Sequence, residues 1–170
     1  DLILTSGNNY YGEGVTQPEV EAFYANMKDP NDSTPISYGL NSKLVKENGK
    51  LVEKTYKVGG LYTQAIERIV GWLEKAVTVA ENDKQKEVIK SLISFYKTGD
   101  LNTYDEYSIK WVEDLDSQVD FVNGFTETYG DPLGMKASWE SIVNFKNVEA
   151  TKRTQTISDN AQWFEDNSPI

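Results

Sequence analysis

Glu127 and Tyr129 stand two residues apart in Phe121-Val122-Asn123-Gly124-Phe125-Thr126-Glu127-Thr128-Tyr129, a run whose composition reads as a β-strand. Side chains two apart on an extended strand point the same way, so the spacing predicts a carboxylate and a phenol on one face, with Phe121 and Phe125 behind them. Glu127 can pair with an ammonium group, and Tyr129 can donate to a carbonyl or a developing oxyanion. The pair would suit a small polar ligand. The same spacing also fits an exposed strand end before a tight turn, with Tyr129 as a rim aromatic. Glu-x-Tyr alone leaves both readings open.

Composition removes most other chemistry. The chain has no His and no Cys, which excludes a Ser-His-Asp triad, a Cys-His dyad, His-ligated zinc, disulfides and thiolate metal sites. A carboxylate-only metal site has one candidate, Asp29-Pro30-Asn31-Asp32-Ser33, which begins like a calcium loop. Thr34 stands where that loop needs Gly, and Leu40 where its bidentate Glu belongs. The segment reads as a helix-ending turn, and no metal ligand is assigned. Gly7, Gly12 and Gly14 fit no phosphate-binding pattern.

The 27 acidic residues against 17 basic ones, a net charge of −10, argue against a nucleic-acid partner. That balance fits cationic ligands such as free amino termini, and equally a charge that only maintains solubility. No apolar run is long enough to suggest a membrane span. The apolar share of 38%, with four Trp, ten Tyr and six Phe, suits one globular domain over residues 1–170 or a slice of something larger. Asp1-Leu2-Ile3-Leu4-Thr5 lacks the basic start and apolar stretch of a signal peptide. It reads as the middle of an element, so the expectation is a chain trimmed at both ends and a cytoplasmic location.

The elements that must position Glu127 and Tyr129 follow from periodicity and punctuation. Thr16-Gln17-Pro18-Glu19 is a capping box opening a helix with Val20, Phe23, Tyr24 and Met27 in phase, stopped at Asp29-Pro30. Between Ile36 and Val58 the pattern turns to β. Two runs flank the hairpin dipeptide Asn48-Gly49, with Val52, Tyr56 and Val58 on one face before Gly59-Gly60. A helix is predicted from Leu61 to Ala80, carrying Ile66, Ile69, Leu73 and Val77 on one stripe. Asn82 caps the next, with Val88, Ile89, Leu92, Ile93 and Tyr96 inward and Gly99 ending it. Thr103 to Glu106 reads as a second capping box, for a helix that includes Trp111 and Leu115. Strands over Val119–Tyr129 and Ser138–Phe145 flank the turn Asp131-Pro132-Leu133-Gly134. A last helix begins near Asn147, with Ile157, Ala161 and Phe164 in phase. The fold class is α+β, mostly helical, with two β-hairpins.

Phe121 to Gly134 resembles the stretch G-F-I-E-S-Y-x-D-P-x-G of the dipeptidyl peptidase III family, zinc exopeptidases with an H-E-x-x-G-H motif. Trp139-Glu140-Ser141-Ile142-Val143-Asn144 and Asn147 match its continuation, and Asn9-Tyr10-Tyr11 and Tyr38-Gly39-Leu40-Asn41-Ser42-Lys43-Leu44 add support. The resemblance runs in order through nearly the whole chain, is specific only over Gly124–Gly134, and is closest to Bacteroides-type members. It implies part of the lower, substrate-binding lobe of a two-lobed peptidase that removes dipeptides from the N-terminus of short peptides. Glu127 would hold the substrate ammonium, and Tyr129 would be the catalytic residue assisting at the scissile carbonyl. Thr126 would line the substrate pocket where the family often has an apolar residue, and Gly130 stands where many members carry Arg. The zinc would belong to the full-length parent and not to this chain, which lacks the zinc motif. The implied partners are short peptides and the remaining lobe of the same polypeptide, and the isolated chain should hydrolyse nothing.

Two alternatives differ in class. One is a free-standing, non-catalytic peptide- or amine-binding module. The other is a carbohydrate-active domain in which Glu127 and Glu140 face each other across paired strands as a carboxylate pair.

Overall fold

Asn48 and Gly49 take φ values of +50° and +74°, the left-handed pair that a two-residue hairpin turn needs. They join β1 (Ser42–Glu47) to β2 (Lys50–Thr55) in an antiparallel register that sets Glu47 against Lys50 and Val45 against Val52. The second strand stops at Thr55 and does not reach Val58. Tyr56 instead bridges to Leu61, and the Val58 amide donates to the Tyr96 carbonyl at 2.9 Å. The structure is a computed structural model that describes residues 1–7 and 9–169.

Ahead of this hairpin lie α1 (Leu2–Ser6) and α2 (Gln17–Ala25). Asp1 caps α1 rather than lying inside an element, its carboxylate accepting from the Ile3 amide at 3.0 Å. The capping box of α2 forms as expected: Glu19 accepts from the Thr16 amide at 3.0 Å and its hydroxyl at 2.7 Å. Tyr11 runs beside Leu44, so the N-terminal segment extends the β1 edge. Ile3, Tyr11, Val15, Val20, Tyr24 and Leu44 bury one apolar cluster there, to which Leu133 and Met135 are added from the far end of the sequence.

The larger cluster is built by three helices, α3 (Thr63–Val77), α4 (Asp83–Thr98) and α5 (Leu101–Glu113). Asn82 and Gly99 cap α4 as predicted, Asn82 accepting from the Gln85 amide at 2.9 Å and Gly99 taking φ +72°. Packed between α3 and α5, α4 buries more than one stripe. Phe95 is as buried as Leu92, although helical spacing from Val88 does not single it out. The α3 helix is shorter than Leu61–Ala80, because Tyr62 takes a left-handed φ of +56° and starts it one residue later. Asp100, not Thr103, caps α5: its carboxylate accepts from the Asn102 amide at 3.0 Å, so the helix begins directly after Gly99. Leu115 consequently falls beyond the helix and is exposed.

The second hairpin pairs β3 (Val119–Glu127) with β4 (Ser138–Phe145), antiparallel, with a bulge between Phe125 and Glu127. Its Phe125 and Ala137 join the helical cluster. Two last helices, α6 (Val148–Asp159) and α7 (Ala161–Asn167), replace the single one expected, broken at Asn160, and neither buries a residue. The architecture is α+β and mostly helical, with two antiparallel hairpins among the described residues.

Candidate functional site

The connection between β3 and β4 folds around one carboxylate. Asp131 is only 5% exposed. Its Oδ2 accepts from the Met135 and Lys136 amides, both at 2.8 Å, and from the Tyr11 hydroxyl at 3.1 Å. Its Oδ1 accepts from the Leu133 amide at 3.3 Å. A short side chain that captures several nearby amides fixes a turn more firmly than backbone bonds alone.

Lys136, at the end of that connection, is fully buried. Its ammonium donates to the Tyr24 hydroxyl at 2.6 Å, the Ser42 hydroxyl at 3.0 Å and the Gly39 carbonyl at 3.2 Å. Both hydroxyls pass the charge on to Glu53, donating to its Oε1 at 2.7 Å from Tyr24 and 2.6 Å from Ser42. Burial lowers the Lys136 pKa to about 8, with Glu53 and Asp131 opposing the shift. Together, Asp131 and Lys136 bind the connection to α2 and β1.

Glu127 is half-buried at the end of β3, opposite Ser138, whose hydroxyl donates to the Glu127 carbonyl at 3.3 Å. Tyr129 lies two residues past the strand end and is 86% exposed. The alternation argument therefore stops at Glu127 and does not carry Tyr129, because the Asp131 turn and the bulge at Phe125/Glu127 end the extended run first. Thr126 is exposed and donates to Glu140 Oε1 at 2.6 Å. Glu140 pairs with Gly124, and Glu127 with Ser138, so the two glutamates do not face each other as a carboxylate pair.

Beside this hairpin is a cavity of about 470 Å³, lined by Tyr10, Tyr56, Tyr62, Phe125 and Trp139, with Ile66 and Ile69 from α3. The Tyr56 and Phe125 rings stack with centroids 5.4 Å apart, and Tyr62 adjoins Tyr56 at 5.6 Å. The Trp139 indole N–H donates to the Tyr96 hydroxyl at 2.7 Å, and Tyr96 donates in turn to Asn123. A Cβ at Gly130 would stand 3.0 Å from the Tyr10 hydroxyl oxygen, so any larger residue there would require Tyr10 to move. Lys136, Glu53, Tyr56, Tyr62 and Trp139 were not singled out as site residues by the sequence. Only their three-dimensional neighbours mark them, and a lysine in a Gly-Met-Lys-Ala loop gives no signal of burial.

Zinc does not fit this chain. Without His or Cys, only carboxylates could bind it, and the described residues hold no group of three or more candidate ligands. No helix among the described residues is long and apolar enough to cross a membrane.

The sequence model of peptidase family M49 matches residues 9–169. Dipeptidyl peptidase 3 of Dictyostelium discoideum is 28% identical over 179 residues, covering 92% of this chain and 25% of that protein. Dipeptidyl peptidase 3 of Homo sapiens is 26% identical over 151 residues, 89% of this chain and 20% of that protein. Nudix hydrolase 3 of Arabidopsis thaliana is 30% identical over 129 residues, 75% of this chain and 16% of that protein. Among solved structures, DPP III from Caldithrix abyssi superposes with a TM-score of 0.73 at 23% identity, covering 97% of this chain and 30% of the other. The fold is thus that of part of a larger chain, and the 170 residues span about a quarter of the Dictyostelium relative.

Proposed function

The chain belongs to peptidase family M49, and from that premise we propose that it is the substrate-binding part of a zinc-dependent peptidase that releases dipeptides from the N-terminus of short peptides. The observation that carries this reading is the match over residues 9–169, which includes the block from Gly124 to Gly134. In it, Glu127 holds the substrate's terminal ammonium by a charge-assisted hydrogen bond, which fixes where the peptide begins. Tyr129 donates its hydroxyl to the scissile carbonyl as negative charge develops there, and Thr126 lines the same pocket. The exposure of Tyr129 suits a group that meets a substrate lying between this surface and the remaining lobe. The firm turn around Asp131 supports the reading, since a catalytic donor gains from a fixed backbone.

The metal in this proposal is held by parts of the longer polypeptide, because the donors of these residues do not fit it. The chain would form part of the lower lobe, act in the cytoplasm, and hydrolyse nothing alone. Assaying the 170-residue chain and its full-length parent on a dipeptidyl naphthylamide with zinc tests this. Turnover is expected from the parent only. Dipeptide release by the chain without metal, or none by the metal-loaded parent, would overturn it.

A further inference from the structure

We propose that the cavity between α3, the end of β2 and the β3–β4 hairpin is a subsite for a large apolar or aromatic side chain of a peptide bound with its amino terminus at Glu127. The inference rests on the ammonium-binding role of Glu127 given above and adds a side-chain preference to it. At about 470 Å³ the cavity falls within the usual size range of small-ligand sites. Phe125, Tyr56 and Tyr62 form one continuous ring surface along its wall, through centroid separations of 5.4 and 5.6 Å. A further ring laid against them extends that series by offset or edge contact. Trp139 is 43% exposed, yet its indole is held by Tyr96, so this wall needs little ordering when a ligand arrives. No lining residue is charged, so an incoming charged side chain would lose water without gaining a partner.

The cavity also adjoins both proposed site residues. Ser138 lines it and is the strand partner of Glu127, while Tyr10 lines it and backs onto Gly130, next to Tyr129. A peptide anchored at Glu127 therefore begins at the cavity's edge, and the excess of carboxylates on this chain favours a cationic terminus there. Tyr62 sits at the rim with the left-handed φ of +56°, a conformation that a non-glycine residue keeps only where its surroundings impose it.

Titration of the 170-residue chain by backbone-amide and indole NMR separates the parts of this inference. The probes are Phe-Phe amide, Ala-Ala amide and N-acetyl-Phe-Phe amide. Phe-Phe amide is expected to bind at least about tenfold more tightly than Ala-Ala amide, the factor given by partial burial of one aromatic side chain. Its shifts should centre on Trp139 and Ile66. Ala65→Trp, at an exposed α3 position lining the cavity, should abolish the difference between these two probes. Equal binding of the two free-amine probes overturns the subsite and leaves the ammonium role of Glu127 standing. Equal binding of the acetylated and free Phe-Phe amides keeps the cavity and removes Glu127 as anchor. Silence of the cavity residues to all three probes overturns the proposal outright. Should Ala65→Trp fail to fold, Tyr62→Ala at the exposed rim replaces it, and a tenfold preference surviving there sinks the aromatic wall.

Discussion

The Lys136 ammonium donates to the Tyr24 hydroxyl at 2.6 Å across 112 positions of sequence. It is a cation without water, surrounded by two hydroxyls and a carbonyl, with the Glu53 carboxylate one bond further out. Such a group is tolerated only because every one of its donors is used.

Stability should therefore rise with pH in the alkaline range. The folded Lys136 pKa is about 8 against an ordinary value of 10.5, so between those values the unfolded chain binds the extra proton. Unfolding free energy should increase from pH 8 toward pH 10 by on the order of 2 kcal/mol. Above pH 10 the trend should reverse, because burial raises Tyr104 to about 12 and Tyr96 and Tyr107 still higher, and each loses stabilisation as the unfolded phenol ionises. Urea unfolding between pH 7.5 and pH 10 (roughly the window set by these values) checks it. Lys136→Met should flatten the rise, and a slope that persists in that variant would assign it to another group.

Asp131→Asn should cost more than Tyr11→Phe. The carboxylate serves three amides and a hydroxyl, whereas the phenol makes one of those bonds. An amide at position 131 turns an N–H toward buried N–H donors, at a cost of about 1–3 kcal/mol, while the lost phenol bond is worth about 1 kcal/mol. Thermal melts of the two variants rank them directly, and the reverse order would mean that Asp131 does not organise the turn.

In the full-length parent, Glu127→Ala should weaken substrate binding by roughly 1.5–3 kcal/mol, the value of a hydrogen bond to a charged group. Tyr129→Phe should instead lower kcat on the order of 100-fold with little change in KM. Neither should lower the melting temperature, since Tyr129 is exposed and Glu127 is bonded only through its backbone among the described residues. Near-normal kinetics in both variants would remove the assigned roles.

Gly124→Ala should destabilise the chain by about 1–3 kcal/mol, a consequence of strained backbone. Its φ is +153°, and a Cβ would lie 3.0 Å from the Tyr104 ring and hydroxyl. Gly49→Ala, with φ +74° and open space around it, should cost only about 1 kcal/mol. Equal melting temperatures for the two variants would mean that Tyr104 moves aside freely.

What was legible in the sequence was whatever local chemistry decides. Asn48-Gly49 permits one tight hairpin, and Asn82 and Gly99 bracket a helix because each satisfies backbone groups within a few residues. The end of β3 was not legible, since alternation runs on to Tyr129 while the stop comes from a carboxylate at Asp131 bonded to Tyr11. Thr103 looked like a cap because its partner spacing is correct, yet Asp100 lies upstream and captures the first free amide. Lys136 and the cavity were invisible for one reason: their partners, Tyr24 for one and Tyr10 and Tyr62 for the other, come from distant segments. The roles of Glu127 and Tyr129 entered through family resemblance, because Glu-x-Tyr carries too little information by itself.

The absence of any buried residue in α6 and α7 has a consequence for cooperativity. A helix of 12 residues without tertiary support is marginal in water, whatever the quality of its Asn147 cap. Residues 148–167 should then behave as a helix–coil segment, losing ellipticity gradually over a broad temperature range while the three-helix cluster melts in one sharp step. Ile157, Trp163 and Phe164 point out of this segment into solvent, and covering them with another surface would fuse the two transitions into one.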